Sequence, residues 1–108
     1  MEKDLWTWAG KHVGARDGDD LWTYAGVHIG RFRDDEVYDR VGTYLGEIMD
    51  GDRLVTERKK RQQRQEPFVP SPPRPSHVRR VPHAGYVMYD GYQDFPLPET
   101  FLGYRGGR

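Results

Sequence analysis

The sequence predicts an all-β fold: a pseudo-symmetric array of 16-residue β-hairpin repeats in three and a half copies, then a disordered basic and proline-rich linker and a short aromatic C-terminal segment. Three observations carry this. The chain repeats itself at a period of 16, glycine stands at fixed places in each unit, and composition and charge change abruptly near Glu57. The boundaries follow as a β-hairpin repeat domain over 1–57, the linker over 58–84 and the aromatic segment over 85–108.

The first unit, Asp4-Leu5-Trp6-Thr7-Trp8-Ala9-Gly10, returns as Asp20-Leu21-Trp22-Thr23-Tyr24-Ala25-Gly26, and His12-Val13-Gly14 returns as His28-Ile29-Gly30. A third copy keeps Glu36-Val37-Tyr38, Gly42 and Tyr44-Leu45-Gly46, and a fourth stops half-way after Asp52-Arg53-Leu54. Sixteen residues are too few for a helical repeat unit. Two short apolar runs around a glycine fit a hairpin.

Trp6, Trp22, Tyr38 and Leu54 occupy one equivalent place, and Val13, Ile29 and Leu45 another. Because these positions stay apolar in every copy, they are the expected inward face and core. Gly10, Gly26 and Gly42 are expected at left-handed turn positions. Gly14, Gly30 and Gly46 fall within strands, where a close neighbour, expected to be a Trp or Tyr ring, would explain them. The half-unit is expected to close against the first copy.

These motifs, "LWTWAGKHVG", "LWTYAGVHIG" and "VYDRVGTYLG" followed by "RLV" and a run of Arg and Lys, resemble the four-fold beta flower family over roughly residues 4–57. The resemblance implies a bacterial protein of pseudo-symmetric hairpins, and it implies no particular activity.

The net charge of zero conceals a segmentation: residues 1–56 carry a net −5, 57–84 a net +6, and 85–108 a net −1. The basic block opens as Arg58-Lys59-Lys60-Arg61 and continues through six prolines between Pro67 and Pro82, so an extended, mobile tether is expected there. Tyr86, Tyr89, Tyr92 and Phe95 then recur every three residues. Tyr89, Tyr92, Phe95, Phe101 and Leu102 are too apolar to be left in water, and they are the candidate docking residues. The receptor is expected to be an unpaired strand at 52–57, by strand addition, or a groove lined by Trp8 and Tyr24.

No cysteine is present, which excludes disulfides and thiolate chemistry. The opening Met1-Glu2-Lys3-Asp4 lacks a basic region followed by an apolar run, and no stretch is long and apolar enough to span a bilayer, so cytoplasmic placement is expected, with no membrane partner. Asp4, Asp20, Glu36 and Asp52 share the period and could ring a calcium-like ion, although acids in turns are ordinary hydrogen-bond acceptors. His12 and His28 with Tyr44 supply two good zinc ligands where three or four are needed. No motif assembles a catalytic centre and no cofactor is implied. The reading is a small non-enzymatic interaction module whose aromatic segment docks in cis, on a protein partner or on a second copy. Weak single-strand nucleic-acid binding through the basic linker is the alternative, and a metal or enzymatic site on the acidic ring trails both.

Overall fold

The computed structural model describes residues 2–101. Seven strands follow one another as antiparallel neighbours: β1 (Glu2–Thr7), β2 (His12–Asp17), β3 (Asp20–Thr23), β4 (His28–Arg33), β5 (Glu36–Tyr38), β6 (Tyr44–Met49) and β7 (Arg53–Glu57). An odd number of alternating strands leaves the first and last running the same way. The barrel therefore closes by a parallel β1–β7 pairing, Trp6 against Arg53 and Thr7 against Leu54. That pairing uses only the first half of the β7 edge. The second half is taken by β8 (Tyr92–Asp94), antiparallel, with Val55 against Asp94 and Glu57 against Tyr92. One-turn 3-10 segments lie at Arg58–Lys60 and Pro98–Phe101. No described helix is long and apolar enough to cross a membrane.

Each hairpin carries a bulge at the same place, where the register shifts between Leu5 and Trp6, Leu21 and Trp22, and Val37 and Tyr38. The residue left over on the facing strand is Val13, Ile29 or Leu45. The bulge turns that residue toward the same cluster as its neighbour across the sheet. The hydrophobic core comprises Leu5, Val13, Leu21, Ile29, Phe32, Val37 and Leu54 with Phe95 and Phe101, and Leu45 packs against it partly buried.

Two sequence expectations change here. Trp6, Trp22 and Tyr38 are buried, yet they lie outside this cluster. In a strand, neighbours point to opposite faces, so with Leu5, Leu21 and Val37 inside, the aromatic that follows each must face out. What buries it is the later chain. Leu54, by contrast, is in the core because Asp50, Gly51 and Asp52 make the β6–β7 connection one residue longer than the two-residue turns before it. The slip sets Leu54 against Ile48 as Val37 is set against Phe32.

The segment expected to be a mobile tether is extended but tied down. Its backbone N–H groups reach the hairpin turns in reverse order: Gln65 to Gly42 O, Arg74 to Gly26 O and His83 to Gly10 O. Phe68, His77 and Tyr86 likewise donate to Arg40 O, Tyr24 O and Trp8 O. The strap thus advances nine residues for each hairpin it passes. It makes almost a full circuit before delivering β8 to the open β7 edge, and this exterior chain covers Trp6 and Trp22. Trp6 Nε1 donates to Val81 O at 3.0 Å and its ring stacks on His83 with centroids 3.7 Å apart.

Gly10, Gly26 and Gly42 have φ of +96°, +85° and +92°, as the turn reading requires. A Cβ on any of them would also overlap a strap carbonyl, that of His83, Arg74 or Gln65. Gly14 is pressed by the backbone of Trp22 and Thr23, and Gly30 by Val37 Cγ2 and Tyr38 O. An aromatic ring is met only at Gly46, and it is Phe95 rather than Trp or Tyr. The next strand lies close enough to fill the space where a ring was expected.

Candidate interaction site

The charge segmentation becomes a set of contacts between strap and barrel. Lys60 Nζ lies 2.8 Å from Glu36 Oε2, 2.8 Å from Glu47 Oε1 and 3.5 Å from Glu57 Oε1. Its hydrogen bonds to Glu36 and Glu47 raise its pKa, and the Lys60 ammonium in turn holds the Glu36 carboxyl below its usual range. Arg74 pairs with Glu2 and Asp17, both at 3.2 Å, and Arg80 Nε with Asp4 Oδ2 at 2.6 Å. Three cations of the basic block, Lys60, Arg74 and Arg80, are therefore committed to acids of the barrel.

The four period-16 acids do not converge on an ion. Asp4 faces His12 and Arg80, Asp20 faces His28 and Arg31, Glu36 faces Lys60, and Asp52 faces Arg53. Among the described residues no group of three or more His, Cys, Asp or Glu is placed to hold a metal.

His12 and His28 act as latches. His12 Nδ1 accepts the Arg80 N–H at 3.0 Å and His28 Nδ1 accepts the Ser71 N–H at 2.9 Å, again nine residues apart on the strap. Those bonds leave the proton on Nε2, which faces Asp4 Oδ1 at 3.2 Å and Asp20 Oδ1 at 3.1 Å. Both rings are buried, and burial lowers both pKa values despite the facing carboxylates, with Arg80 and Arg31 adding to the lowering. A histidine that is harder to protonate when folded stabilises the fold above its unfolded pKa of about 6.5. That contribution is lost as the pH falls from there toward the folded value. Cation formation also turns Nδ1 into a donor facing another donor. Thermal melts between pH 7.5 and 5 should show falling stability, with faster amide exchange at Ser71 and Arg80. A His12→Gln/His28→Gln variant should lose the slope over this window, and a flat profile in the parent chain would refute the latch.

A second recurring joint is an arginine lying over a ring and paired with a carboxylate. Arg16 lies 4.2 Å from the Phe32 centroid beside Asp19, and Arg31 lies 4.6 Å from Phe68 beside Asp20. Arg53 is 4.1 Å from Tyr86 with Asp52 at 3.5 Å, and Arg74 is 4.3 Å from Trp22. Arg79 is 4.8 Å from Tyr24, with Glu99 at 3.3 Å.

The candidate docking residues divide between the core and the surface. Phe95 and Phe101 are buried in the core, Tyr92 is half-buried on β8, and Tyr89 remains 59% exposed. Leu102 lies outside the described residues. The expected receptor strand is the one β8 joins, and Asp94 extends that junction to β1 by accepting the N–H of Trp8 at 2.8 Å and of Ala9 at 3.0 Å. Tyr86 and Tyr89 flank Trp8, with centroids 5.0 and 5.6 Å away, and Trp8 Nε1 donates to Val87 O. Together with Met49, Asp50 and Val87 they line an open cleft of about 430 Å³. Tyr24, the other expected groove residue, instead lies under Arg79.

A family model described as 4-fold beta flower protein matches residues 1–92. The chain belongs to that family. No curated protein and no solved structure matches it significantly. In this beta flower protein the matched region takes in the strap as well as the hairpins, well beyond the roughly 4–57 over which the repeat motifs carried the resemblance. The nine-residue step was visible as Phe68-Val69, His77-Val78 and Tyr86-Val87, a ring followed by valine. It was missed because the prolines and charges around it read as linker composition. The family is one of unknown function, so membership supplies architecture rather than activity.

Proposed function

We propose that the chain is a non-enzymatic protein-interaction module, cytoplasmic in placement, whose aromatic segment has two separate tasks. Phe95 and Phe101 dock in cis in the barrel core, while Tyr86 and Tyr89, beside Trp8, form the face offered to a protein partner. The observation that carries this is the contrast within one short segment: Phe95 is 2% exposed, whereas Tyr89 is 59% exposed and rests against another aromatic ring. Aromatics with a polar handle are the side chains that anchor interfaces. The strap argues against nucleic acid as the partner, because Lys60, Arg74 and Arg80 are engaged by carboxylates and would have to leave them to reach phosphates.

Tyr89→Ala should leave the melting temperature nearly unchanged and abolish recovery of whatever protein co-purifies with the parent chain. A partner retained at full yield by Tyr89→Ala would overturn the assignment. Tight, salt-sensitive binding of a single-stranded oligonucleotide would favour the nucleic-acid reading instead.

A further inference from the structure

The cleft beside Trp8 has the parts of the arginine–ring–carboxylate joint without an arginine of its own. Tyr89 presents a largely open ring, while one face of Tyr86 is already covered by Arg53. At the rim stands Asp50, exposed on the β6–β7 connection. Each of the five Arg–ring contacts among the described residues, that of Arg53 included, pairs its guanidinium with a carboxylate. The Asp50 carboxylate has no such partner among the described residues.

We propose that this cleft binds the guanidinium of an arginine side chain on a partner protein, stacked on the Tyr89 ring and paired with the Asp50 carboxylate; this rests on the reading of Tyr86 and Tyr89 as the partner face. A guanidinium is planar and weakly hydrated, so it can lie on a ring and still present donors to a carboxylate. An ammonium is a strongly hydrated point charge, and Lys60, the well-paired lysine here, sits among three glutamates instead. The recurring internal joint therefore specifies arginine rather than lysine.

The test is an NMR titration of the full chain with an acetyl-Gly-Arg-Gly amide peptide, beside the same peptide carrying citrulline, which keeps the shape and loses the charge. The arginine peptide should bind saturably, with shifts centred on Asp50, Val87 and Tyr89, and the citrulline peptide should not. Asp50→Asn and Tyr89→Ala should each weaken binding about two- to fivefold, as for exposed ion pairs and cation–π contacts, without changing the melting temperature. Asp50 has φ +55°, which asparagine accepts, so that variant retains its turn.

Equal binding of the citrulline peptide, or full affinity in both variants, overturns the proposal. Binding seen only after Arg105→Gln/Arg108→Gln overturns the partner as occupant, since the cleft would then serve this chain's own C-terminal arginines. If Tyr89→Ala abolishes partner capture but excess arginine peptide does not compete, the interaction face stands and the guanidinium assignment falls.

Discussion

Phe95→Ala should lower stability by about 3–5 kcal/mol, the cost of removing a buried phenyl ring and leaving a cavity. In a chain of this size that corresponds to a fall in melting temperature of roughly 12 °C or more. The ring is 2% exposed in the barrel core, lies against Gly46, and stands directly after the β8 strand that completes the β7 edge. Its loss removes packing and loosens strand pairing together. Circular dichroism melts measure the first effect, and amide exchange at Val55 to Glu57 measures the second. An unchanged melting temperature would show that the segment is not part of the core. For the same reason the boundary at Glu57 divides the chain by composition but not by packing, since Phe95 and Phe101 lie beyond it and inside the cluster.

Gly14→Val should be similarly damaging, for the opposite reason. A Cβ at that position overlaps Trp22 O and the Thr23 backbone across the β2–β3 pairing. No rotamer change relieves an overlap with backbone, so β2 and β3 must part where they join the first hairpin to the second. Overpacking of this kind costs about 3 kcal/mol or more. Gly30→Val meets first a valine methyl at 2.6 Å and only then a carbonyl at 3.0 Å, so it should cost less. Denaturant titrations of the two variants check the order, and equal stabilities would show that the mid-strand glycines are not spaced by backbone contact.

The hairpins were legible because their signals are local. Turn glycines and strand runs depend on residues a few positions apart, and the turns at Gly10, Gly26 and Gly42 appear where that spacing puts them. The position of Trp6 was not legible, since burial on either face of a strand selects apolar residues. Only the strap, arriving from residue 81 onward, decides that the outer face is covered. The latching histidines were identified as equivalent, but their partners are main-chain N–H groups at Ser71 and Arg80, which no side-chain pattern encodes. The cleft at Trp8 joins residues from a hairpin turn, the β6–β7 connection and the strap. Its aromatic members were visible in the sequence, whereas Asp50 was not distinguishable from any other turn acid.

By itself, then, the sequence determined the all-β class, the hairpin turns, and the opposition of acidic and basic blocks, all of which follow from short-range periodicity and composition. The tertiary structure alone decided which apolar set is the core, that the barrel closes in parallel on seven strands, and that the proline-rich segment is a strap. The physical reason is that these depend on loop length and on long-range backbone hydrogen bonds. One extra residue between β6 and β7 moves Leu54 from the outer face to the inner one, and a chain without side-chain periodicity can still be fixed by its N–H groups.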